Sequence, residues 1–174
     1  MKTDRAINID DLRRMAKRRL PRICFDFIEG GLEDELGLAR NEKAFSQHCL
    51  VPRYLVDVSQ RDQSATLLGR RYALPFGIAP TGLAGLFRRG ADLMLAEAAK
   101  TADIPFIMSG ASTGSIEAAA RIAPEHTWYQ LYGARDMAIS EDLIRRSRDA
   151  GLSTLVHTVC SPKSSGPVLQ LPSR

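Results

Sequence analysis

Cysteine is scarce in this chain: Cys24, Cys49 and Cys160 are odd in number, far apart and without any C-x-x-C spacing, which argues against both a disulfide framework and a thiolate metal site. A reducing cytoplasm fits that usage. Long apolar runs are missing as well. No stretch approaches the roughly 20 apolar residues of a membrane helix, and the polar start MKTDRAINIDD lacks the apolar centre of a signal peptide, so neither a transmembrane segment nor export is expected. An excess of one charge is also lacking. The formal net charge is only +4, and arginines recur in short pairs, such as Arg70-Arg71, Arg88-Arg89 and Arg145-Arg146, with acids nearby. That is the pattern of solvated helix and loop faces, and no nucleic-acid partner is expected. The three histidines, His48, His126 and His157, have no metal-ligand spacing, so no metal is expected either.

What is present is an ordinary globular composition, 44% hydrophobic and 25% charged over 174 residues, enough to bury one sizeable core. Ile9, Leu12, Met15, Ala16 and Leu20 recur at helical spacing behind the candidate caps Asn8 and Asp10. Pro21 can open a second helix carrying Ile23, Phe27 and Ile28, which Gly30-Gly31 would end in a left-handed conformation. A third helix is predicted over residues 33–45. Residues 64–72 read as a small hairpin around Gly69, and residues 1–73 together as an N-terminal cap.

From residue 74 the rhythm becomes strand and helix in alternation. Strands are predicted at 74–79, 105–109, 127–132 and 153–159, with helices at 91–102, 115–122 and 139–150 between them. Short loops imply parallel strands, in a barrel or an open doubly wound sheet. A dinucleotide-binding sheet would want G-x-G-x-x-G after its first strand, where this chain reads Pro80-Thr81-Gly82-Leu83-Ala84-Gly85. A (β/α)8 barrel typically needs about 250 residues, so residues 74–159 would supply the first four of its units and residues 160–174 an aberrant tail.

In a barrel, function collects at the C-terminal ends of the strands. The second strand ends at Ser109. The third carries Gln130 and Tyr132 on one face and Tyr129 and Leu131 on the other. The fourth puts Thr154, Val156 and Thr158 on one face, and the first runs out into Pro80-Thr81-Gly82. Single Ser or Thr residues there are commonly caps for the next helix. Taken together, a hydroxyl, an amide, a phenol and a glycine-loosened backbone also suit a flat heteroaromatic ligand with carbonyl and ring-nitrogen acceptors, such as an isoalloxazine.

The stretches 20–31 (LPRICFDFIEGG), 78–82 (IAPTG) and 128–132 (WYQLY) resemble the FMN-dependent 2-hydroxy-acid dehydrogenases and oxidases, among them glycolate oxidase, L-lactate dehydrogenase and mandelate dehydrogenase. The resemblance runs in order from about residue 9 to 159, the N-terminal half of the family. It implies FMN as cofactor, with the backbone at Thr81 and Gly82 facing the reactive edge of the flavin and Ser109, Gln130 and Thr158 bonded to its ring. It also implies a small (S)-2-hydroxy acid as substrate, met by Tyr132 and oxidised to the 2-oxo acid, with the flavin supplying the redox chemistry. Intact members would be homo-oligomers. A membrane-associating segment after the fourth strand of some members would place such a protein at the membrane periphery.

Two departures follow. Phe27 stands where the family usually has a substrate-binding Tyr, though an aromatic at helical spacing is ordinarily core. After Val159 the family continues with an Asp that orients a catalytic His, an Arg for the substrate carboxylate, a Lys at the flavin and the phosphate site; this chain reads Cys160-Ser161-Pro162-Lys163. His157 is no substitute, since its parity is opposite to Thr158 and points it outward, toward the helices. The chain is therefore expected to be an inactive fragment, with a self-associating half-barrel as the alternative. So abrupt a break is what a change of reading frame produces. Another frame, entered just after Thr158 or Val159, is expected to encode the rest of an enzyme of about 350–400 residues.

Overall fold

The structure, a computed structural model, describes residues 3–159. Its two compact units divide between Gln60 and Arg61. The hairpin that the sequence groups with the cap therefore belongs to the strand–helix unit, because its contacts lie there. The tail from Cys160 is outside the described residues.

In the first unit a 3-10 turn, Thr3–Arg5, precedes α1 (Ile9–Arg19), α2 (Arg22–Glu29) and α3 (Leu36–Phe45). Asn8 caps α1, its side chain accepting the Asp11 N–H at 2.8 Å. Asp10 and Asp11 in the first turn and Lys17, Arg18 and Arg19 in the last complement the helix dipole. Pro21 stands one place before α2, whose Phe25 is buried with the Lys17 ammonium 5.8 Å from its ring centre. The left-handed ending predicted at Gly30-Gly31 does not occur. Gly30 is extended (φ −76°), and the left-handed residues are Glu33 (φ 51°) and Glu35 (φ 57°), which is why α3 starts at Leu36 instead of residue 33. Gly31 serves close approach: a Cβ there would lie 3.2 Å from that of Leu38.

The second unit opens with β1 (Ala65–Leu67) and β2 (Arg70–Tyr72), antiparallel, with Ala65 opposite Tyr72 and Leu67 opposite Arg70. Leu68 and Gly69 both take positive φ, 50° and 85°, the two-residue turn whose twist matches a hairpin. Then come α4 (Ala84–Phe87), α5 (Ala91–Ala102), β3 (Phe106–Met108), α6 (Ile116–Ile122), β4 (Thr127–Tyr132), α7 (Met137–Asp149) and β5 (Leu155–Thr158). The sheet order is β3-β4-β5, all parallel, with Phe106 opposite Thr127 and Tyr132 opposite Thr158. Each strand–helix–strand step is thus the repeating unit of a parallel barrel.

The strand predicted at 74–79 contributes a single parallel bridge, Ile78 to Phe106. Its hydrogen bonds run from Ile78 N–H to Pro105 O (2.8 Å) and from Ile107 N–H to Ile78 O (3.0 Å). Pro75, Pro80 and Pro105 bring no N–H to the ladder, and Gly77 is pressed so close to Pro105 that a Cβ would lie 2.6 Å from its carbonyl oxygen. The short α4 was not foreseen.

The core lies between sheet and helices. Phe106, Met108, Tyr129 and Leu131 point toward Ala96 and Ala99 of α5 and Ile116 and Ala119 of α6, with Ala123 just beyond it. Alanines let the helices approach the sheet closely, so overpacking Ala99, fully buried, is expected to cost about 1–3 kcal/mol. The hairpin closes the N-terminal ends of the strands. Ala73 N–H donates to Asp103 O at 2.9 Å, the Trp128 indole donates to the Tyr72 hydroxyl at 3.3 Å, and Arg70 bonds Glu125 at 2.8 Å. Among the described residues of this unit, the opposite, C-terminal ends carry no such hairpin.

Candidate functional site

Alternation decides which side chains reach those open ends. On β4, Tyr129 and Leu131 take the helix side, which leaves Gln130 and Tyr132 on the barrel side; on β5, Val156 and Thr158 are half-buried while Leu155 and His157 are exposed. Ser109 follows the last residue of β3, and 109, 130 and 158 fall on adjacent strands at nearly one level.

The three form a hydrogen-bonded row. The Gly110 N–H donates to Gln130 Oε1 at 3.0 Å, and Gln130 Nε2 donates to Thr158 Oγ1 at 2.9 Å. A backbone N–H can only donate, so it fixes the orientation of the amide, and the Thr158 hydroxyl, used here as an acceptor, keeps its own proton for another partner. Ser109 Oγ accepts the Ala111 N–H at 3.1 Å and donates to Gln130 Oε1 over a long 3.4 Å. Ser109 and Gln130 are buried, at 3% and 1% exposure, so the row is rigid and set in a low dielectric. Tyr132, at 46%, stands at its outer edge.

Across the loop lies Gly82. The Leu83 N–H donates to Ala111 O at 2.9 Å, which holds residues 81–83 against the loop after β3. A Cβ on Gly82 would meet Ala111 Cβ at 3.6 Å and Ser109 Oγ at 4.0 Å, ordinary contacts, and its φ is not positive. Neither packing nor backbone geometry demands glycine there. Thr81 turns its hydroxyl back to Ala79 O at 3.5 Å. Phe27 lies on α2 of the first unit and is 62% exposed.

Sequence reasoning missed Gly110. A Cβ there would sit 2.7 Å from Gln130 O and 3.3 Å from the Tyr132 ring, so only glycine lets the amide reach Gln130. A glycine one residue past the Ser109 strand end was the available signal. His157, expected to point toward the helices, is exposed, with Nε2 beside Gly133. His126 is buried and bonded through Nε2 to Asp103 at 2.9 Å, at the strands' other end. On the outer surface the Arg146 guanidinium bonds Glu117 at 2.8 and 3.1 Å and holds its carboxyl down to about 2, while burial pushes the Tyr129 hydroxyl up. Among the described residues no cluster of His, Cys, Asp or Glu could hold a metal, and no helix is long and apolar enough to cross a membrane.

Parallel strand–helix units with a polar, hydrogen-bonded row at their C-terminal ends are the N-terminal half of a (β/α)8 barrel. The family model described as FMN-dependent dehydrogenase matches residues 16–165, reaching past the Val159 at which the sequence suggests a break. The chain belongs to that family, whose cofactor is FMN. Its relatives include (S)-mandelate dehydrogenase of Pseudomonas putida, 42% identical over 151 residues, with 87% of this chain and 38% of that protein covered. L-lactate dehydrogenase of Caulobacter vibrioides is 41% identical over 152 residues, covering 87% and 40%. Among solved structures, the monotopic membrane protein (S)-mandelate dehydrogenase superposes with a TM-score of 0.80 at 41% identity, over 88% of this chain and 41% of that one. The chain spans about two fifths of the length of the curated relatives it matches.

Proposed function

We propose that this chain carries the flavin-ring half of the site of an enzyme that oxidises an (S)-2-hydroxy acid of the lactate, mandelate or glycolate type to the 2-oxo acid. The row Ser109–Gln130–Thr158 carries the reading. Its hydroxyl and amide groups suit the carbonyl and nitrogen edge of an FMN ring, and Gly82, with no side chain, lets that ring approach the backbone of Thr81 and Gly82. Bound there, FMN supplies the two-electron acceptor; the residues orient it, exclude water from its polar edge and hold its hydrogen bonds in place. Tyr132 belongs to the substrate pocket. The reading places the intact protein in the cytoplasm as a homo-oligomer, with peripheral membrane association as in the monotopic relative.

The 174-residue chain by itself is expected to be inactive. The resemblance assigns the His, Arg and Lys of the reaction, and the phosphate site, to later strands. General acid–base help alone is typically worth about 10²–10⁴-fold. Dye reduction with lactate, glycolate and mandelate should stay at the no-enzyme blank; turnover with any of them refutes inactivity. The chain should purify colourless and bind added FMN weakly, with a change in flavin fluorescence that Gln130→Leu abolishes. Equal FMN responses in both proteins would overturn the ring placement.

A second reading, a half-barrel that completes itself by pairing with a copy, is favoured by the far edge of β5, which pairs with no strand among the described residues. A yellow dimer would support it over the fragment.

A further inference from the structure

Asp92, in the first turn of α5, is 2% exposed, yet none of the roles above uses it. A carboxylate so deeply buried is costly unless something in the fold answers its charge. Two features do: the N-terminal end of α5, which favours a negative group, and the Thr113 hydroxyl, which donates to Asp92 Oδ2 at 3.3 Å from the loop after β3. Thr113 sits where it does because Gly85 has no side chain. A Cβ on Gly85 would lie 2.0 Å from Thr113 Oγ1 and 3.0 Å from Thr113 Cβ. Gly85 lies within α4 and its φ is not positive, so it is glycine for space.

These contacts tie together two loops that the ring site needs in register. The loop that follows Pro80 brings Thr81, Gly82 and Leu83 and leads through α4 to Asp92; the loop after β3 brings Ser109, Gly110, Ala111 and Thr113. Near the strand ends they share one backbone bond, Leu83 N–H to Ala111 O. Farther out, the joint between them is Thr113 in its Gly85 slot, bonded to Asp92.

We propose that Asp92, Thr113 and Gly85 form a clamp that locks the loop of Gly82 to the loop of Ser109, and so sets the spacing between the Gly82 backbone and the Ser109–Gln130–Thr158 row; this rests on the flavin reading above. Asp92 and Thr113 are positioning residues: neither bonds the row itself. Their substitution loosens the two loops and leaves the strands and the hairpin as they were.

Hydrogen exchange read by mass spectrometry on the full chain, with FMN fluorescence titration beside it, tests the clamp. In Asp92→Ala and Thr113→Val, peptides spanning 80–90 and 109–115 should exchange about tenfold faster, as expected for losing a hydrogen bond to a charged group. Peptides spanning 65–72 and 127–132 should be unchanged, and the FMN response should weaken. Thr113→Ser, which keeps the hydroxyl, should retain the wild-type pattern, and Gly85→Ala, which drives Thr113 from its slot, should reproduce Thr113→Val. Unchanged exchange at both loops in Asp92→Ala and Thr113→Val overturns the clamp, as does an equal rise in the hairpin peptide, which would mean general loosening. A wild-type chain with no FMN response overturns the flavin reading, while the exchange result still decides the clamp.

Discussion

A glutamine at 1% exposure stays in a barrel interior only if both ends of its amide are paired, and Gln130 has Gly110 at one end and Thr158 at the other. The identity and parity of Gln130, Ser109 and Thr158 were legible in the sequence, because alternation along a strand is local. The amide of Gly110 was not, since it matters only through a neighbour 20 positions away. The same holds for Glu117 and Arg146, 29 positions apart, which pair between α6 and α7. Arg146 lowers the Glu117 carboxyl from 4.5 to about 2, so the pair's contribution is present above pH 4.5 and is lost as pH falls toward 2. Both side chains are about two fifths exposed, so solvent screening limits it to about 1 kcal/mol or less. Thermal melts between pH 5 and 2 should show wild type losing an advantage of at most about 2–4 °C over Glu117→Gln across that window. A constant difference at every pH would contradict the pairing.

At the scale of elements, helices and strands with a clear period emerged where the sequence predicts them. α5 and β4 match residue for residue, and β3, α6, α7 and β5 differ only at their ends. The misplaced features are those that backbone geometry decides. Prolines reduced the first strand to one bridge, and left-handed Glu33 and Glu35 shortened α3, though neither residue type announces that conformation. The hairpin turn holds the one Leu of a Leu-Gly pair at φ 50°, where an L-residue with a bulky side chain is strained by about 1–2 kcal/mol. Leu68 is 75% exposed, so little packing is lost on replacing it. Leu68→Asn, giving the Asn-Gly pair this turn prefers, should therefore raise stability by about 0.5–1 kcal/mol. Urea unfolding followed by Trp128, which packs on the hairpin through Tyr72, measures this; an unchanged or lower midpoint would refute the strain argument.

For the molecule as a whole, the far edge of β5 governs behaviour in solution. Among the described residues it pairs with no strand, Leu155 beside it is 41% exposed, and such an edge recruits another strand. Sedimentation should show mass rising with protein concentration, and Leu155→Lys together with His157→Pro should suppress the rise; a strict monomer in the wild type would show that the edge is protected. The sequence by itself determined the barrel class, the family and the side chains that reach the strand ends, because strand and helix periods and short motifs are written over a few residues. Tertiary structure alone decided that the hairpin closes the strands' N-terminal ends, that Gly110 completes the row, and that Asp92 finds Thr113 across two loops. Those contacts join residues 20 to 56 positions apart, and their geometry exists only once the helices have packed on the sheet.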